Sequence, residues 1–150
     1  MNKNDTLKAE FPSLSANEGF ARSCVACFLA RLDPTLDELN DVKTAVSEAV
    51  TNCIVHAYPG SVGPVVLRCR ILSDSEAEIS VKDHGVGIED LDRAMEPLYT
   101  TGDPAERAGM GFSIMESFSD KLRVRSTPGK GTTVVLRKRF RGRQPYERRR

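Results

Sequence analysis

With 150 residues, 39% hydrophobic and 29% charged, the chain has the size and composition of one ordinary globular domain. It has no Trp, an aromatic content of only 6% and no long apolar run from Met1 to Phe11, which argues against a base-stacking platform, a signal peptide and a membrane span. The net charge of +1 hides an asymmetry: Arg137 to Arg150 hold eight Lys and Arg against one Glu, leaving 14 basic and 20 acidic residues elsewhere.

Thr6 to Phe11 alternates as a short strand that Pro12 ends. Ser15-Ala-Asn-Glu18 has the spacing of a capping box and opens a helix to about Leu32, with Phe20, Cys24, Val25, Phe28 and Leu32 expected inward. Arg22 lies near its start, where a cation gains nothing from the helix dipole; it is either a surface arginine or a partner contact. Cys24 and Cys27 make a Cys-x-x-Cys, but no second such pair or His pair completes a zinc set. All four cysteines are therefore expected to be reduced, buried and structural.

Asp33-Pro34 breaks the chain, and Thr35-Leu-Asp-Glu38 is a second capping box. The long helix it opens runs to about Tyr58, where Pro59-Gly60 stops it. Leu39, Val42, Val46, Ala49, Val50, Cys53 and Ile54 form its apolar face. Glu48, Asn52 and His56 recur four residues apart, so they make a polar stripe on that helix. Bulk water, a neighbouring backbone or a bound metal and ligand must meet it, since an unsatisfied buried polar group costs about 1–3 kcal/mol.

Val65 to Leu72 and Glu76 to Lys82 read as strands around a Ser73-Asp74-Ser75 turn. Asp83-x-Gly85-x-Gly87 follows directly. A carboxylate at a sheet end followed by two positions without Cβ suits an exocyclic amine and a flat ring such as adenine, and equally suits an ordinary turn. A short helix is expected from Glu89 to Met95, then a lid-like loop from Pro97 to Ala108. Gly109-Met110-Gly111 opens a helix to about Ser119, and bare N–H groups at its start suit phosphate oxygens or a plain helix start. Lys121 to Ser126 and Thr132 to Phe140 pair around Pro128-Gly-Lys-Gly131. The order predicts a two-layer α/β sandwich, its sheet mixed but mainly antiparallel, with helices on one face. One domain over residues 1–139 and a basic, disordered tail over 140–150 are expected.

Asn52 can give a neutral oxygen to Mg²⁺, and Glu48 one turn earlier can take a proton from an attacking hydroxyl. Glu-x-x-x-Asn, Asp-x-Gly-x-Gly and Gly-x-Gly in this order resemble the ATP-binding fold shared by DNA gyrase B, heat-shock protein 90, histidine kinases and MutL. The stretches LDPTLDELNDVKTAVSEAVTNCIVHAY, VKDHGVGIEDLDRAMEPLYTT and RAGMGFSIMESFSDKLRVRSTPGKGTTV resemble the anti-sigma F factor family of sporulating bacteria, from about Lys8 to Arg139.

That resemblance implies a cytoplasmic, dimeric serine protein kinase that binds ATP or ADP with Mg²⁺. Its partners would be a sigma factor and an anti-anti-sigma factor, with no direct contact to nucleic acid or membrane. By the same resemblance Glu48 is the general base, Asn52 holds the metal, Asp83 reads adenine, and Gly85 and Gly87 line the ring. Thr100, Thr101, Gly109, Met110 and Gly111 belong to the nucleotide site, and Arg107 steadies the γ-phosphate charge. Thr132 or Thr133 hydrogen-bonds near adenine, Arg22 is the partner contact, and His56 is structural or near the nucleotide. A general-stress anti-sigma serine kinase and a nucleotide-gated sigma-sequestering module are the competing expectations. A histidine kinase is disfavoured because no upstream dimerising helices fit.

Overall fold

Alternation of buried and exposed residues sets the sheet. Along Pro64–Ser73 (β2), Val65, Leu67, Cys69 and Ile71 are buried while Arg68 and Arg70 are exposed. Along Glu76–Asp83 (β3) the buried set is Ala77, Ile79, Val81 and Asp83. A computed structural model of the chain describes residues 5–96 and 111–142. Three further strands, Thr6–Pro12 (β1), Lys121–Thr127 (β4) and Gly131–Arg139 (β5), complete a five-stranded sheet in the order β1-β2-β3-β5-β4. Every neighbouring pair is antiparallel, so the sheet is antiparallel rather than mixed among the described residues.

Ala16–Leu29 (α1), Leu36–Asn52 (α2) and Gly111–Ser117 (α4) pack through α2, which rests on the sheet; Leu91–Ala94 (α3) is a single exposed turn. Val25 and Leu29 of α1, Val46 and Val50 of α2, Leu67, Ile79 and Leu136 of the sheet and Met115 of α4 are almost fully buried. Each such side chain contributes about 1.5–3 kcal/mol of hydrophobic stabilisation. The expected two-layer α/β sandwich with helices on one face is the observed architecture.

The second capping box forms: Glu38 N–H donates to Thr35 Oγ1 at 3.1 Å, and Thr35 N–H to Glu38 Oε1 at 3.0 Å. The first does not. Ser15 takes helical dihedrals (φ −53°, ψ −35°), whereas a side-chain cap needs extended backbone at that position; Glu18 instead pairs with Arg22 at 3.8 Å. The inward stripe of α1 is Ala21, Val25 and Leu29, and Phe20 is half exposed, edge-on to Phe11.

The cysteines divide as well. Cys53 and Cys69 are buried, but Cys24 is only half-buried and Cys27 is exposed, so burial of all four thiols is corrected. The two are a helical turn apart, and only one of them reaches the α1 contact face. Burial pushes the Cys69 thiol up to about 12. At the other end, Phe140 is 3% exposed and its N–H donates to Ser75 O at 2.6 Å. Arg141 N–H donates to Glu38 Oε2 at 2.6 Å. The packed body thus runs past residue 139, and residues 143–150 of the expected tail lie outside the described residues.

Candidate functional site

Helix α2 ends at Asn52, short of the expected Tyr58, and Cys53–Ala57 continues it as a π-helical turn. Such widened turns recur at functional sites because they re-aim side chains without breaking the rod. Glu48 and Asn52, half-buried, belong to the regular helix, while His56 sits on the widened turn.

The start of α4 lies directly over the first two. A Cβ built on Gly111 would stand 3.2 Å from Asn52 Oδ1, 3.4 Å from Asn52 Nδ2 and 3.5 Å from Glu48 Oε2. Gly111 is itself buried, so it shares one small space with two residues far from it in sequence. Glycine keeps that space open above a carboxylate and an amide.

Asp83, at the end of β3, is 5% exposed. Its Oδ1 accepts from Gly85 N–H at 2.9 Å and Thr132 N–H at 3.1 Å, and its Oδ2 accepts from the Cys53 thiol at 3.5 Å. Burial, and then the neighbouring Asp83 charge, hold the Cys53 thiol well above its ordinary value, so it stays a protonated donor at neutral pH. Two backbone donors therefore fix the carboxylate, and Oδ2 carries a single weak thiol bond with capacity for another donor.

The loop after Asp83 is shaped by its own backbone. A Cβ on Gly85 would fall 2.1 Å from Ala57 O, the oxygen that accepts Val86 N–H at 2.9 Å. Gly87 has φ +73°, and its Cβ would fall 2.3 Å from Thr127 O. Both glycines thus have a steric reason inside the protein, beyond the flat-ring reason that the sequence suggests. Gly129 N–H donates to Val86 O at 2.7 Å and Ile88 N–H to Ser126 Oγ at 2.8 Å. Ser126 Oγ also lies 2.8 Å from Thr132 Oγ1, which ties β4 and β5 to the loop. Tyr58 Oη accepts His84 N–H at 2.8 Å and donates to Pro64 O at 2.6 Å. Burial raises that hydroxyl above its ordinary value, keeping it a neutral donor.

The structure therefore brings Glu48, Asn52 and Gly111 into one cluster, and Asp83, Gly85 and Thr132 into a second against the end of the same helix, while Gly87 packs on Thr127 and Pro128. Cys53, the residue after Asn52, joins them through its bond to Asp83. Sequence reasoning assigns Cys53 to the core and overlooks Tyr58 and Ser126; the adjacency of Cys53 to Asn52 is the only available signal. Arg22 stands on the exposed side of α1 beside Glu18, apart from both clusters. Thr100, Thr101, Arg107, Gly109, Met110 and the lid-like loop lie outside the described residues. Among the described residues no group of three or more His, Cys, Asp or Glu is placed to hold a metal. Asn52 Oδ1 is a hard, neutral oxygen donor that fits Mg²⁺, an ion that takes few protein ligands and fills the rest with water and phosphate.

A family model described as a histidine kinase-like ATPase domain matches residues 11–138. The chain is 54% identical over 138 residues to an anti-sigma F factor of Caldanaerobacter subterraneus subsp. tengcongensis, covering 92% of this chain and 96% of that one. It is 52% identical over 134 residues to an anti-sigma F factor of Clostridium acetobutylicum, covering 89% and 93%. Among solved structures, the RsbU and RsbW domains of Rv1364c from Mycobacterium tuberculosis superpose with a TM-score of 0.65 at 19% identity, over 91% of this chain and 33% of that one. The mycobacterial sensor histidine kinase MprB gives 0.57 at 18% identity, over 91% and 100%. At these identities the two structures bear on the fold alone.

Proposed function

This chain belongs to the anti-sigma F factor family of histidine kinase-like ATPase domains, and on that premise we propose that it is an ATP-dependent serine kinase that also binds a sigma factor. Its phospho-acceptor is a serine of an anti-anti-sigma protein, and its working unit is a homodimer in the cytoplasm. No helix among the described residues is long and apolar enough to cross a membrane.

What supports this most is the convergence of Gly111 on Asn52 and Glu48, with the buried Asp83, which has an oxygen to spare, bonded to Cys53 at the end of the same helix. Mg-ATP, when bound, supplies the transferable phosphoryl group and a cation that offsets its charge. Asn52 Oδ1 is the neutral oxygen available to that cation. Glu48 accepts the proton of the attacking serine hydroxyl and orients it, a role worth about 10²–10⁴ in rate. Asp83 Oδ2 accepts the adenine amine while Gly85 and Thr132 N–H groups hold the other oxygen still. Thr132 closes the adenine side, and Arg22 meets the protein partners. Thr100, Thr101, Arg107, Gly109 and Met110 complete the phosphate end in this reading.

The test is intact-mass analysis of the anti-anti-sigma protein from the same genome, incubated with the full chain and Mg-ATP. One added phosphoryl group, lost with Glu48→Ala, is expected. An unmodified acceptor despite tight ATP binding would point to a sequestering module without kinase activity.

A further inference from the structure

The sheet face turned away from the helices carries a charge pattern that folding does not explain. Residues opposed in an antiparallel pair share a face, so the register defines rows across it. One row is Lys8, Arg68, Ser80, Val135 and Arg123; the next is Thr6, Arg70, Glu78, Arg137 and Lys121. A third brings Glu10, Lys82 and Arg125, and Glu76 faces Arg139 at the end. Together these rows hold nine Lys and Arg against three Glu, whereas the chain before Arg137 has an acidic excess.

Few of these cations are neutralised. Glu78 pairs with Arg70 at 3.1 Å and Arg137 at 3.2 Å, and Glu76 pairs with Arg139 at 3.3 Å and Arg137 at 3.9 Å. Two carboxylates thus serve three arginines. Among the described residues Lys8, Arg68, Lys82, Lys121, Arg123 and Arg125 have no carboxylate within ion-pair distance. Lys8 lies directly opposite Arg68 and Lys121 directly opposite Arg137, placements that destabilise a sheet. No described element covers the face, and a shallow cavity of about 330 Å³ opens at its edge between Lys121, Arg137 and Arg139, with Glu76 and Asp120 also in its lining.

We propose that this face docks an acidic protein segment, with Asp and Glu side chains set against the row from Lys8 to Arg123. Arginine predominates, and its planar fork takes a carboxylate bidentately at little ordering cost. A second copy placed face to face would oppose two like excesses of positive charge. Nucleic acid fits worse: the three rows hold no aromatic side chain for stacking. Five strands at about 4.8 Å spacing span about 19 Å, too broad for a major groove of about 12 Å. The helix-facing side of the sheet holds Asp83, so this surface is separate from the nucleotide site and does not depend on the kinase reading.

The test uses the full chain and a fluorescein-labelled oligoglutamate peptide, followed by anisotropy across a salt titration. Single-stranded and duplex DNA carrying the same label are the comparison probes. Binding of the peptide should weaken steeply with salt. It should fall about tenfold or more in Arg68→Thr/Arg123→Thr, and further in Arg68→Glu/Arg123→Glu. A tail variant, Arg148→Gln/Arg149→Gln/Arg150→Gln, should bind within about twofold of the parent. Arg68→Thr alone should raise the melting temperature, because it relieves the Lys8 repulsion, a readout that survives if the glutamate variant fails to fold. Peptide binding indifferent to the face variants, or lost equally in the tail variant, would overturn the proposal. So would tighter binding of duplex DNA at the same residues, or a dimer that the face variants dissociate.

Discussion

Gly111→Ala separates the role of the α4 start in ligand binding from its role in folding. The added methyl would stand 3.2 Å from Asn52 Oδ1, closer than ordinary contact by a few tenths of an ångström, and 3.5 Å from Glu48 Oε2, an ordinary contact. Both atoms are the far ends of flexible side chains, so the fold can yield where a backbone neighbour could not. Alanine also favours the helix over glycine by up to about 1 kcal/mol, less in a first turn. Stability should therefore stay within about 1 kcal/mol of the parent, with a shift of about 4 °C or less. Nucleotide binding should suffer, because the Asn52 amide must swing away and the methyl fills the space above it. Loss of one hydrogen bond to a charged group costs about 1.5–3 kcal/mol, or about 10- to 100-fold in affinity. Calorimetric titration of Mg-ATP alongside a thermal melt reads both quantities. Unchanged ATP affinity with a lowered melting temperature would make Gly111 a packing residue with no part in nucleotide binding.

Gly85→Ala should behave in the opposite way, since its Cβ would fall 2.1 Å from a backbone oxygen that cannot turn aside. Overpacking plus the strained Val86–Ala57 hydrogen bond should cost about 2–4 kcal/mol, a fall of about 4–16 °C in the melting temperature; a shift under about 2 °C would contradict this. Brief alkylation of the native protein, followed by peptide mass spectrometry, should label Cys27 first and leave Cys53 and Cys69 almost unmodified, because both are buried and their thiols are held protonated. Glu38 is pushed up by partial burial but drawn down further by the Thr35 and Arg141 N–H groups, so its carboxyl lies below its ordinary value in the fold. Its contribution is then full above the ordinary glutamate range and is lost as pH falls through the lowered value, so acid melts of the parent should be steeper than those of Glu38→Gln.

The strands were legible because one face is buried: Val65, Leu67, Cys69 and Ile71 announce β2 by period alone. Thr35 was legible as a cap because it takes extended backbone, whereas Ser15 sits inside a turn already closed by Asn17 N–H on Leu14 O and so has helical dihedrals. The insertion of β5 between β3 and β4 was not legible, since strand order depends on contacts that no local pattern encodes. Nor was the π-helical turn after Asn52, which leaves no signature in the apolar spacing. At the site, Glu48, Asn52 and Asp83 could be chosen from the sequence by chemistry. That Gly111 lies against the first two, and that Cys53 bonds the third, required the packing of α4 and β3 on α2.

On the proposed function, Asp83 reads an adenine amine with the oxygen its backbone partners leave open. Asp83→Asn keeps the side-chain shape and the bonds from Gly85 and Thr132 to Oδ1, and replaces Oδ2 with an N–H₂ that faces the Cys53 thiol and the base as a donor. Calorimetric titration of Mg-ATP into this variant should show at least about a tenfold loss of affinity in a protein that still folds. ATP affinity equal to that of the parent would contradict the assignment of this pocket to adenine.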